Sequence, residues 1–383
     1  MLKYNNYFVH LLYYERILIM EYEEMKTLRD IIDYGAEKFG ERSFMEFKTS
    51  HGVASKSYAG FREEVLSFAR VLDDWGMTGT GAHVAVIGPT CVEWCVAFLG
   101  SSCASCAAIP LAPKETDEMN CRLMDFADVD VLVYDKAHAS LFEAAKKTLP
   151  RIKRFISLDD SSSQPDVFNI SDLITLHLDD CEEYTHRPKR GEMAAIFFTS
   201  GTTGFPKGVM LSHLNLTTAA VGRKIAFNTP RLFCCMPLHH CFCFSSIVLK
   251  GISLGRTLCV NDKIENIVAD LQMYRPQLVT AVPAIIKTLF NGAFRFADAH
   301  PELERGAAVK KFFGGELDQF ISGGAPLAPE LNELYNETGV CVYNGYGMTE
   351  CAPIIANNTT GIYTPGSGHG AQLCRTVPQD FQC

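Results

Sequence analysis

The chain has 383 residues, 47% of them hydrophobic and 21% charged, which is enough to bury a large core and build at least two structural units. A formal net charge of −9 argues against a general nucleic-acid binder, because such proteins concentrate Lys and Arg on one basic face. Any anionic ligand must therefore be held locally.

Residues 1–24 are rich in Tyr, Leu and Ile, but His10, Glu15 and Arg16 interrupt the run well short of a membrane span, and no small-residue cleavage pattern follows. They read as an N-terminal extension ahead of a protein that begins near Met20 or Met25. Phe61, Val65, Phe68 and Leu72 fall on one face of a helix that Gly76 can end. A buried-type strand over 84–87 follows, then a helix from about Val92, a strand near Ile109, a helix before Phe126 and a strand over 131–134. This alternation predicts an α/β fold with a parallel sheet covered by helices.

Fifteen cysteines are scattered and odd in number, several within apolar runs such as Leu232-Phe233-Cys234-Cys235-Met236, so they read as reduced, cytosolic thiols. The C-x-x-C pair Cys103 and Cys106 has no second pair at ligand spacing and sits among small packing residues. Residues 159–166 are a polar surface loop, and Arg187-Pro188-Lys189-Arg190 is a second break. A boundary between them divides the chain into a first α/β subdomain, 25–185, and a second, 186–367.

A strand from Met193 runs into Phe198-Thr199-Ser200-Gly201-Thr202-Thr203-Gly204-Phe205-Pro206-Lys207-Gly208. Glycines let backbone N–H groups converge on an anion, hydroxyls add donors, and Lys207 supplies a positive charge. Unlike the common nucleotide loop, it does not open directly into a helix, since Pro206 biases Phe205 away from helical geometry. Taken alone, the composition fits a polar hairpin turn equally well. Further on, strands are expected near Leu232, Leu258, Leu278 and Phe320, with a helix around 285–290.

Taken in order, these segments resemble the adenylate-forming superfamily of acyl-CoA synthetases, luciferases and peptide-synthetase adenylation domains. The likeness runs from about Thr27 to Ser367. Its carriers are the 198–208 loop, Ile109-Pro110-Leu111-Ala112-Pro113, Pro237-Leu238-His239-His240-Cys241-Phe242, Ile321-Ser322-Gly323-Gly324-Ala325-Pro326-Leu327 and Tyr343-Asn344-Gly345-Tyr346-Gly347-Met348-Thr349-Glu350. The wording around Phe313-Gly314-Gly315, Val282-Pro283 and the paired histidines resembles the long-chain fatty-acid–CoA ligases most.

The resemblance implies the large N-terminal domain of these enzymes, with two helix-flanked, mostly parallel sheets packed in layers. It implies activation of a fatty acid by ATP to an acyl-adenylate, then transfer to CoA, with Mg²⁺ as the metal. Thr199, Ser200, Gly201, Thr202, Thr203, Gly204 and Lys207 would hold phosphates. Gly323, Gly324, Ala325, Asn344, Gly345, Tyr346 and Gly347 would form the nucleotide pocket, with Tyr346 against adenine. Thr349 would bond the α-phosphate, Glu350 would hold Mg²⁺, and His240 would border the carboxylate substrate.

Beyond Ser367 the wording leaves the family pattern, and residues 368–383 show neither strand alternation nor helical periodicity. The expectation is a chain truncated before the C-terminal lid domain and its adenylation lysine, with a tail read out of frame. The alternatives are a catalytically deficient AMP-binding remnant, or a ligase for a medium-chain, aryl or amino acid. A cytoplasmic protein is expected. A fatty substrate is compatible with peripheral membrane contact, although no amphipathic basic helix requires it. Oligomeric state is left open.

Overall fold

The computed structural model describes residues 24–159, 164–199, 204–221, 229–328, 330–331, 338–358 and 371–373. The expected extension therefore lies almost entirely outside the described residues, and Met25 is already buried in the core.

The alternation read from the sequence becomes two sheets. In chain order the strands are β1 (Ser43–Thr49), β2 (Gly52–Ser57), β3 (His83–Val86), β4 (Ala107–Pro110), β5 (Val131–Tyr134), β6 (Arg154–Ser157), β7 (Val167–Asn169), β8 (Met193–Thr199) and β9 (Lys207–Ser212). They continue with β10 (Arg231–Cys234), β11 (Thr257–Val260), β12 (Leu278–Ala281), β13 (Gln319–Ser322), β14 (Cys341–Gly347), β15 (Ile354–Asn358) and β16 (Ala371–Leu373). The first sheet has the order β7-β6-β5-β3-β4-β8-β9, and the second β16-β15-β14-β13-β12-β10-β11-β1-β2. Central pairings are parallel, while β1–β2, β8–β9, β14–β15 and β15–β16 are antiparallel edges.

Short strands such as β3, β5 and β12 are almost wholly apolar because helices cover both faces of each sheet. The helix Tyr58–Asp74 starts where the Ser57 hydroxyl accepts a bond from the Gly60 N–H, and it buries Phe61, Val65, Phe68 and Leu72. Together with helices Leu28–Phe39 and Val92–Cys103 it forms a central layer whose core joins Val84 and Phe197 of the first sheet to Leu232 and Leu278 of the second. Helices Asp117–Phe126 and Ala139–Thr148 pack on the outer face of the first sheet, and Ile267–Tyr274, Pro283–Ala299 and Arg305–Phe312 on that of the second. The result is two helix-flanked, mostly parallel sheets in layers.

The sheets do not divide the chain at residues 185 and 186: β1 and β2 join the second sheet through β11, and β8 and β9 complete the first through β4. Strand partners are chosen by long-range burial rather than by position in the chain. The tail also contains structure, since Ala371–Leu373 pairs with β15 at the sheet edge. Backbone ladder bonds make such a strand without any side-chain alternation. Cys103 and Cys106 are fully buried with thiols pushed up to about 12 by desolvation, so the pair is packing.

Candidate active-site cleft

A cleft of about 550 Å³ opens where the carboxyl ends of strands from both sheets face each other. From the first sheet come the end of β4 (Pro110), the residues after it (Leu111, Ala112, Glu115) and the end of β8 (Phe197, Phe198, Thr199). From the second come Met236 and 239–243 after β10, Val282 after β12, Gly324 after β13 and 345–349 from β14. In the second sheet, β11 and β12 lie on opposite sides of β10, so the chain leaves that point in opposite directions. Crevices of this kind are where open α/β sheets bind ligands.

The segment singled out by the sequence is a hairpin. Thr199 pairs with Lys207 across β8 and β9, which places the ends of both strands at the cleft end of the sheet. Gly204 takes the left-handed backbone (φ 91°) that this turn needs. Pro206 lines the cleft, while the Lys207 side chain is exposed beside it. Ser200, Gly201, Thr202 and Thr203 lie outside the described residues. Phe205 packs edge-on against Phe126 at 5.5 Å with the Arg122 guanidinium 5.0 Å over its other side, which anchors the outer side of the hairpin.

On the opposite wall, His239 and His240 stand with ring centroids 4.2 Å apart. Desolvation in the cleft, with smaller contributions from His240 and Lys114, brings His239 down to about 4, and desolvation also lowers His240. Both rings are neutral near pH 7, able to donate and accept rather than to present a charge. The Cys241 thiol is driven up to about 12 by burial, which makes it a poor nucleophile. This wall continues directly into a π-helical segment, Phe244–Leu249, whose Phe244 packs tilted against Phe98 with centroids 4.0 Å apart and closes an aromatic core with Trp94 and Phe197. Single π turns of this kind recur beside functional sites.

Tyr346 lines the cleft and is 56% exposed. The next residue, Gly347, is packed so closely that a Cβ would sit 1.8 Å from the Pro353 carbonyl oxygen. The Met348 N–H bonds that same Pro353 carbonyl oxygen at 2.9 Å, and the short 3-10 segment Thr349–Cys351 follows, with Thr349 on the cleft wall and Glu350 exposed beside it. Asn344 and Ser322 are register partners on β14 and β13, both buried, with Asn344 Oδ1 and Ser322 Oγ lacking a hydrogen-bond partner among the described residues.

The cleft thus gathers Thr199, His240, Gly324, Gly345, Tyr346, Gly347 and Thr349 on its walls. Lys207 and Glu350 stand at its margin, Gly323 and Asn344 are buried behind it, and Gly204 and Ala325 are exposed outside it. Sequence reasoning did not single out Glu115, Met236, Val282 or Met348 as wall residues: Val282 and Met348 stand inside quoted motifs, but no property of these four side chains along the sequence marks them as facing a cavity. The Ile109-Pro110-Leu111-Ala112-Pro113 run entered only as a carrier of the family resemblance, with no site role, yet Pro110, Leu111 and Ala112 line the cleft.

A family model described as AMP-binding enzyme matches residues 32–375, most of the chain. The chain belongs to the AMP-binding enzyme family. This match runs past Ser367, so the family pattern continues further than the sequence wording indicated. Long chain acyl-CoA synthetase 1 of Arabidopsis thaliana is 25% identical over 384 residues, covering 85% of this chain and 58% of that protein. 4-Coumarate-CoA ligase 1 of Narcissus pseudonarcissus is 25% identical over 319 residues, covering 78% of this chain and 54% of that protein. The chain therefore spans little more than half the length of these relatives. The crystal structure of the anthranilate CoA ligase AuaEII with anthranoyl-AMP superposes with a TM-score of 0.75 at 17% identity, covering 90% of this AMP-binding chain and 63% of that one. Among the described residues, no helix is long and apolar enough to cross a membrane.

Proposed function

We propose that this AMP-binding protein activates a carboxylic acid with ATP and passes the acyl group to the thiol of CoA, and that the acid is a long-chain fatty acid. The carrying observation is the cleft itself, which brings a hydroxyl-bearing strand end at Thr199, a neutral histidine pair, Tyr346 and Thr349 onto one apolar-walled cavity.

In the first step a carboxylate oxygen attacks the α-phosphorus of ATP, the bond to the β-phosphate bridging oxygen breaks, and pyrophosphate leaves. The acyl-adenylate so formed carries AMP as a leaving group, which a thiolate then displaces. Positioning and neutralisation of phosphate charge carry most of such a step. Thr199, Lys207 and the hairpin between them are assigned to the β- and γ-phosphates, Thr349 to the α-phosphate, and Tyr346 to stacking on adenine. His240 would border the substrate carboxylate as a neutral donor.

Mg²⁺ ordinarily takes one or two carboxylates and completes its shell with phosphates and water. An exposed Glu350 next to Thr349 suits that donor set, and no cluster of three or more His, Cys, Asp or Glu forms an alternative cage among the described residues. Glu350 would hold the ion together with nucleotide phosphates, and the bound ion would supply neutralisation of phosphate charge.

For a fatty substrate, the supports are the apolar wall of Leu111, Leu123, Phe197, Met236 and Val282 and the long-chain wording of the sequence. ATP–pyrophosphate exchange across a panel of carboxylic acids tests both parts. A response that peaks at long chains is expected; a peak at cinnamic or benzoic acids would move the assignment to aryl acids. A flat panel with ATP binding retained would leave a nucleotide-binding remnant.

A further inference from the structure

A histidine outside the cleft ties one of its rims to the first sheet. His138 ends a 3-10 turn just after β5, and its two ring nitrogens meet two different acceptors. Nδ1 contacts the Asp135 carboxylate, and Nε2 lies 3.2 Å from the carbonyl oxygen of Pro113, 25 residues earlier in the chain. Neither acceptor carries a proton to give. A neutral imidazole has a single N–H, so it can satisfy only one of them. Both bonds form together only when the ring is an imidazolium.

Pro113 lies in the 111–116 segment, which supplies Leu111, Ala112 and Glu115 to the cleft wall and carries Lys114, whose charge acts on His239. Inside this segment the Glu115 N–H bonds the Ala112 carbonyl, while Thr116 caps the next helix. The Pro113 carbonyl instead reaches outward to His138.

We infer that His138 is a positioning residue: as an imidazolium it clamps the Pro113 carbonyl to Asp135, holding the Leu111 to Glu115 rim of the cleft in place, and its deprotonation releases that rim. The functional consequence rests on the adenylating-ligase reading, whereas the clamp does not.

The electrostatics act in the same direction. His138 and Asp135 side chains are only 13% and 14% exposed, so their attraction is weakly screened. The carboxylate of Asp135 raises the histidine above its ordinary value, partial burial opposes this, and the Pro113 carbonyl and the Asp117 carboxylate from the following helix add to the rise. A raised histidine contributes its stabilisation fully below about 6.5 and loses it as pH climbs through the folded value. The clamp is therefore closed on the acid side and opens on the alkaline side.

The test uses the full chain and three readouts. Imidazole NMR is expected to give His138 a midpoint above the ordinary 6.5, and Asp135→Asn should lower it by about one pH unit. Amide exchange at Lys114, Glu115 and Thr116, corrected for intrinsic base catalysis, should lose protection through that midpoint. In His138→Gln, checked for an intact fold by circular dichroism, the pH-dependent change should vanish. With acyl substrate, KM for the acid should rise several-fold across the same window with kcat little changed.

A His138 midpoint at or below the ordinary value, or the same pH-dependent exchange in His138→Gln as in the parent chain, overturns the proposal. Loss of pyrophosphate exchange at every pH, with the NMR and amide results as expected, supports the clamp and removes only the ligase reading.

Discussion

Phe242 lies flat against the backbone of Gly323, so close that a Cβ on the glycine would sit 2.5 Å from the ring Cζ. Phe242 faces the cleft and Gly323 is buried behind it. The absence of a side chain at 323 is thus what lets the aromatic wall lie where it does. Gly323→Ala should push the ring toward the cavity and cost about 1–3 kcal/mol, the usual range for forced overpacking. Urea unfolding midpoints together with nucleotide affinity check this; an unchanged midpoint and unchanged affinity would show that Phe242 relaxes freely.

His213 gives the fold an acid-sensitive joint. It is fully buried, and its Nδ1 accepts the Leu28 N–H at 3.2 Å across 185 residues of sequence. Desolvation brings it down to about 4, with Glu192 and Asp30 opposing. Because the folded value is depressed, the unfolded chain binds the proton first, so stability falls as pH drops from about 6.5 toward 4. The loss across that window should be about 3 kcal/mol. Unfolding measured at pH 7 and pH 4.5 should show a smaller difference in His213→Asn, which keeps an acceptor but cannot titrate. Equal differences in both proteins would count against this assignment.

At the hairpin, Lys207 is exposed and begins an edge strand. Lys207→Ala should leave stability within about 0.5 kcal/mol, as exposed substitutions do. On the proposed phosphate role it should weaken ATP binding at least tenfold, and the loss should shrink as salt is added. Calorimetric titration with ATP at two salt concentrations reads both effects. Unaltered affinity would separate this lysine from the nucleotide.

Phe244 joins the π-helical wall to the central layer through Trp94, Phe98 and Phe197. Phe244→Ala should cost about 3–5 kcal/mol, the range for emptying a large aromatic site in a close-packed core. Chemical denaturation measures it directly. A cost below about 1 kcal/mol would mean that the wall collapses into the space.

Local chemistry made much of this protein readable before any contact was known. The helix over Phe61, Val65, Phe68 and Leu72, the buried strands at Val84 and Val131, and the turn at Pro206 follow from periodicity and backbone preference, which act over a few residues. The ordered motifs likewise pointed to the AMP-binding family, because their glycines, hydroxyls and carboxylates are informative as strings.

Tertiary structure decided what those segments meet. Nothing within Ser43 to Ser57 says that this hairpin joins β11 rather than β3, since pairing depends on which faces can be buried together. Nor does any local signal bring Pro113 to His138, or Leu28 to His213, because hydrogen bonds between distant residues exist only once packing has fixed both ends. The sequence by itself determined the α/β alternation and the family motifs, short-range properties of the chain, and left the 198–208 segment open between a phosphate loop and a hairpin turn. The membership of each sheet, the cleft between them and the clamp on its rim came only from the fold, where burial sets neighbours that sequence distance does not.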